Sequence, residues 1–112
     1  MPKDALTLDR VFRALADPTR RAVVERLGRG PARMTELAQP FQMALPSFSQ
    51  HLDVLVKAGL VRSEKAGRVR TLSLEPQALE TIDDWLAEQR RLWERRLDQL
   101  DTLLKTLKET DE

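Results

Sequence analysis

At 112 residues the chain has room for one domain with its own core, and the absence of cysteine excludes disulfides, thiolate metal sites and thiol redox chemistry. No apolar run approaches the roughly 18 residues of a membrane span and no signal-peptide pattern opens the chain, so no membrane partner and a cytoplasmic location are expected. The formal net charge of +1 hides an asymmetry: residues 1–74 hold 13 Lys and Arg against 7 Asp and Glu, residues 75–112 hold 6 against 11, and only the first part suits a polyanion.

Taken in chain order, the pattern predicts five helices and one hairpin. Thr7 can cap a first helix whose Leu8, Val11, Phe12 and Leu15 share a face. Asp17-Pro18 reads as the cap and first residue of a second helix. That helix runs to about Leu27, with Ala22, Val23 and Leu27 apolar, and is stopped by Gly28 and Gly30-Pro31. Thr35 is expected to cap a short third helix from Glu36 to about Gln39. A turn over Phe41 to Ala44 follows, and a fourth helix opens near Leu45-Pro46. Phe48, Leu52, Leu55 and Val56 form its apolar stripe, and Gly59 suits its C-terminal end. The period then drops to two: Val61 to Lys65 and Arg68 to Leu74 read as strands joined across Ala66-Gly67. Pro76 starts a last helix to about Lys108.

A short helix, a tight turn and a longer helix make the helix-turn-helix arrangement, whose second helix can lie in the major groove of DNA. The apolar stripe of the fourth helix leaves Pro46, Ser47, Gln50, Asp53 and Lys57 pointing outward, flanked by Ser49 and His51. Ser and Gln both donate and accept hydrogen bonds, and Gln can pair bidentately with adenine. Arg62, Lys65, Arg68 and Arg70 surround the hairpin turn, with only Glu64 opposing them, and can meet phosphates or the minor groove. The bland alternatives are a solvated helix face and a charged turn that deters edge aggregation. His51, the single histidine in a chain without cysteine, makes a poor zinc site; it reads as a hydrogen-bonding residue at the DNA-facing edge or as a partly buried structural histidine.

Four blocks carry a family resemblance: Leu15-Ala16-Asp17-Pro18-Thr19-Arg20-Arg21, Glu36-Leu37-Ala38, Ser47 through Leu55, and Ala58-Gly59-Leu60-Val61. Over residues 8–75 the chain resembles the ArsR family of bacterial winged-helix repressors. The resemblance implies an α-α-α-α-β-β-α winged helix-turn-helix, mainly α with a small β-hairpin wing, acting as a homodimer on double-stranded operator DNA. Leu74-Glu75-Pro76, Trp85-Leu86 and residues 93–100 look like the metal-independent, autorepressor-like branch. Arg33-Met34-Thr35 stands where metal-sensing members carry cysteines, and the last helix has no histidine, so no metal and no cofactor are expected. Asp53 stands where such proteins often carry Lys or Arg, and Ala44 where Ser is usual.

Leu79, Leu86, Trp93, Leu100 and Leu107 recur every seven residues, with Ile82 and Leu103 on the companion position and Leu97 and Leu104 widening the seam. So long a stripe exceeds what one small domain can cover, which points to a dimer through the last helix (76–108), with Leu8 and Val11 of the first helix completing the interface. Residues 1–112 are thus expected to form one domain. Trp85 and Trp93 fit this stripe better than a ligand pocket, and the sequence identifies no small-molecule inducer. One histidine, no tyrosine and no glycine-rich phosphate loop argue against an enzyme. A winged-helix protein-interaction module without DNA binding is the competing reading.

Overall fold

The computed structural model describes residues 3–110, with side chains from Thr7 onward. The chain divides into two compact units, Met1–Thr81 and Ile82–Glu112. The elements are α1 (Lys3–Leu15), α2 (Pro18–Leu27), β1 (Ala32–Arg33), α3 (Met34–Ala38), α4 (Leu45–Lys57), β2 (Val61–Ala66), β3 (Val69–Leu74) and α5 (Pro76–Thr110). None of the described helices is long and apolar enough to cross a membrane.

In the first unit α4 is the centre of the core. Its Phe48, Leu52 and Leu55 are fully buried, together with Val11 and Ala14 of α1, Val23 of α2, Leu60, Val61 and Leu72. Leu37 of α3, Ala32 of β1 and Ala78 at the start of α5 complete it. Val56 is only half-buried, so the stripe of α4 is narrower than the sequence pattern suggests. Helix α1 also differs from expectation. It begins at Lys3, which puts Thr7 inside the helix rather than at its cap, because Ala5 and Leu6 are strong helix formers that extend it backwards. Its buried face centres on Val11 and Ala14, which leaves Phe12 outward.

Val11 is 0% exposed within its own protomer, so it has no surface to give a second chain; its expected place in an interface is corrected on that ground.

The ends of the helices are set locally. Asp17 caps α2, its carboxylate accepting the Arg20 N–H at 3.0 Å, with Pro18 next in line. Helix α4 ends in a Schellman motif: Leu60 N–H donates to the Leu55 carbonyl at 3.1 Å and Gly59 N–H to that of Val56 at 3.0 Å. Gly59 supplies the required positive φ of 79°, and Leu55 and Leu60, the positions that such a motif pairs, are both buried. Helix α3 starts two residues earlier than expected, with Arg33 rather than Thr35 at the cap position and no side-chain cap.

The sheet is antiparallel in the order β1-β3-β2. Strand β1 was not expected: two residues show no periodicity, and it exists only because Ala32 and Arg33 meet Leu72 and Thr71 of β3. Ala66 pairs with Val69, so the hairpin turns on Gly67-Arg68, one residue later than expected. Gly67 has φ of 62°, and no non-glycine among the described residues has positive φ, which matches the glycine-first pattern of a type II′ turn.

The second unit consists of α5 from Ile82 onward. Its apolar residues stay open: Trp93 is 67% exposed, and Leu86, Leu97, Leu100, Leu103, Leu104 and Leu107 are also exposed. Ion pairs between Glu88 and Arg91 and between Asp101 and Lys105, the latter at 3.3 Å, join neighbouring turns of the helix.

Candidate nucleic-acid interface

Helix α3 and the turn after it hold α4 by its first turn. Leu37 is buried, and the Phe41 ring from the turn stacks on Phe48, with centroids 5.5 Å apart and planes at 28°. With Phe48, Leu52 and Leu55 facing the core, helical spacing turns Pro46, Ser47, Gln50, Asp53 and Lys57 to solvent. Ala44 provides no side-chain cap, so the first turn of α4 keeps backbone N–H groups available to water or to an anion.

Ser49 and His51 are half-buried and engaged. The His51 ring Nδ1 lies 3.1 Å from an Arg20 guanidinium nitrogen and 3.9 Å from Asp17. Arg20 also donates to the Ala14 carbonyl at 2.6 Å and the Arg13 carbonyl at 3.3 Å, while Arg21 donates to that of Leu15 at 2.7 Å. The Asp-Pro-Thr-Arg-Arg block thus closes the last turn of α1, starts α2 and props α4 in one cluster. Partial burial works against the Asp17 carboxylate, but the Arg20 N–H and the charges of His51 and Arg20 outweigh it and hold its pKa below the ordinary value. His51 is accordingly a support for α4 rather than an outward reader.

The four basic wing residues do not act as one patch. By register, Lys65 opposite Arg70 shares a face with Ser63 opposite Leu72, whereas Arg62 opposite Ser73 lies on the other face. Lys65 and Arg68 are exposed at the tip. Arg62 is exposed but pairs with Glu75 at 2.8 Å. Arg70 is turned inward onto protein partners: its guanidinium donates to Ser63 Oγ at 2.8 Å, Ser49 Oγ at 3.2 Å and Asp53 Oδ1 at 3.0 Å. Three of its five N–H groups are thus engaged within the protein rather than presented at the wing tip.

Sequence reasoning missed Arg33. It lines a cleft of about 160 Å³ with Met34, Thr35, Arg68, Val69 and Arg70, between the start of α3 and the wing. Only strand β1, itself invisible in the pattern, brings it there. Among the described residues no three His, Cys, Asp or Glu side chains converge as metal ligands, and the His51 ring lies against Arg20.

A family described as a helix-turn-helix domain matches residues 15–64, which run from the end of α1 into β2. The HTH-type transcriptional regulator Rv2034 of Mycobacterium tuberculosis is 45% identical over 89 residues, 80% of each chain. A crystal structure of the ArsR family transcriptional regulator RHA00566 superposes with a TM-score of 0.79 at 52% identity, covering 84% of this chain and 97% of that one. The chain belongs to the ArsR family. The transcriptional repressor SdpR of Bacillus subtilis is 30% identical over 79 residues, 70% of this ArsR-family chain and 88% of that one. The fold extends to the homodimeric winged helix-turn-helix domain Mb0332 of Mycobacterium bovis, with a TM-score of 0.59 at 24% identity over 77% of this chain and 82% of that one. An ArsR-family chain is a transcriptional regulator, not an enzyme.

Proposed function

We propose that this ArsR-family regulator is a homodimeric repressor that reads double-stranded operator DNA with Pro46, Ser47 and Gln50 of α4, while Lys57, Lys65, Arg68 and, through its exposed guanidinium, Arg62 hold phosphates. One observation carries the reading: the exposed polar face of α4 lies directly beside a wing whose tip presents Lys65 and Arg68, as the Arg70 bonds to Ser49 and Asp53 require. A groove reader next to a cationic tip is what combined base and backbone contact needs.

Dimerisation is supported by the open seam of Leu86, Trp93, Leu97, Leu100 and Leu104 on α5 in the second unit. Ile82, at the start of that unit, is half-buried; in the first unit Leu79, at 39% exposure, and half-buried Leu8 on α1 keep surface for a partner. Leaving so many large apolar residues in water costs free energy that a second copy would recover. Repression as the outcome is supported by the relative SdpR. Two-fold symmetry then demands imperfect palindromes with half-sites about 34 Å apart or a multiple of it.

Selection of bound duplexes from random DNA tests the proposal. A palindromic consensus, with affinity falling steeply as salt rises, is the expected result. Purified protein that retains no duplex even at low ionic strength would overturn it.

A further inference from the structure

Asp53 poses a physical problem for the reading above. It is an acid, its side chain 54% exposed, on the face of α4 that would approach a polyanion. Nothing in the core needs it, and in isolation it can only weaken attraction to phosphate. Arg70 poses the complementary problem: a wing cation turned away from the tip, its side chain only 20% exposed.

The two problems have one answer. Ser49 and Asp53 are four residues apart, hence on one side of α4, and Ser63 and Arg70 share the inner face of the β2–β3 hairpin. The Arg70 guanidinium bridges all three, with Nε on Ser63 and its two amino groups on Ser49 and Asp53. A planar fork with donors in fixed directions sets the angle as well as the distance between the elements it joins. We infer that the Arg70–Asp53–Ser49–Ser63 bridge is a positioning device that locks the wing to the reading helix, so that groove contacts and wing contacts are made in a single register, and that it thereby determines sequence discrimination rather than raw affinity.

This inference rests on the DNA-reading proposal and predicts a different outcome from plain electrostatics, which leaves the ratio of operator to random-duplex affinity unchanged. Asp53→Asn removes a negative charge near the DNA, so Coulomb attraction alone would tighten operator and random duplex by the same factor. If the bridge positions the wing, the same change weakens the bridge and frees Arg70 for phosphates. Binding to random duplex then tightens, operator binding does not keep pace, and the ratio of the two affinities falls about tenfold, as expected for loss of one charge-assisted hydrogen bond. Arg70→Lys, which keeps the charge but cannot span three acceptors, should lower the ratio similarly.

The experiment measures operator and random-duplex affinity across a salt series for the full-length protein, Asp53→Asn, Arg70→Lys, Ser49→Ala and Gln50→Ala, with circular dichroism and melting to confirm folding. A fallen ratio in the Asp53 and Arg70 variants, and a smaller fall in Ser49→Ala, supports the bridge. Equal tightening of both duplexes by Asp53→Asn, or full retention of the ratio by Arg70→Lys, overturns it. A relaxed preference in Gln50→Ala beside an unchanged ratio in the bridge variants sinks only the bridge, whereas no operator preference in the unaltered protein sinks the reading itself.

Discussion

Replacing Arg20 by methionine isolates the corner that joins α1, α2 and α4. Methionine keeps length and helix propensity but removes every donor. Three interactions vanish: the 2.6 Å bond to the Ala14 carbonyl, the 3.3 Å bond to the Arg13 carbonyl and the 3.1 Å contact with His51. Helix ends leave carbonyls that must find donors. Arg13 is exposed, so water replaces its weaker bond, whereas Ala14 is 0% exposed and its carbonyl is hard to rehydrate. Hydrogen bonds to charged groups contribute about 1.5–3 kcal/mol, so the Ala14 bond dominates and the total loss should be about 2–3 kcal/mol. At roughly 4–8 °C per kcal/mol for a domain near this size, the midpoint should drop by about 10–20 °C. Urea and thermal denaturation at matched protomer concentration measure this, since dimer stability depends on concentration. Stability within about 0.5 kcal/mol of the unaltered protein would refute the accounting, because that is the scatter of neutral surface changes. Full rescue by Arg20→Lys would show that charge alone, not the fork, holds the corner.

Other outcomes follow from the same geometry. Gln50→Ala should relax sequence preference at one operator position by about 1–3 kcal/mol, while Arg68→Ala weakens all duplexes and lowers the salt slope by about one, both read by quantitative binding titrations. Leu100→Glu should shift the sedimentation profile from dimer to monomer and reduce operator binding with it; an unchanged dimer mass would show that the seam is misplaced. Gly59→Ala meets no atom within 4 Å, so its cost is the left-handed backbone alone, about 1–2 kcal/mol by chemical denaturation. The Asp17 carboxylate is held below its ordinary pKa in the folded state, so its stabilisation is present above the unfolded value and lost as pH falls through the folded one. Asp17→Asn, still able to cap α2, should therefore flatten the acid limb of stability against pH, and an unaltered limb would place the acid sensitivity elsewhere.

Local chemistry determined a great deal of this protein. The apolar stripe of α4, Asp17-Pro18 ahead of α2, Gly59 after α4 and Gly67 in the hairpin each act within a few residues, so helix order, the helix-turn-helix and the wing were legible directly. So were the outward positions of Pro46, Ser47 and Gln50, because helical spacing settles them once Phe48 and Leu52 face the core. Tertiary structure alone decided the rest. Strand β1 has no pattern and is created by β3; Val11 could be assigned to the core only when packing showed which side of α1 the domain covers. Arg70 looks like a DNA contact in sequence and His51 like either a contact or a structural residue, and they meet Asp53 and Arg20 across separations of 17 and 31 residues. A guanidinium or imidazole takes whichever partner the fold brings within 3 Å or so, and that choice is made by contacts remote in the chain.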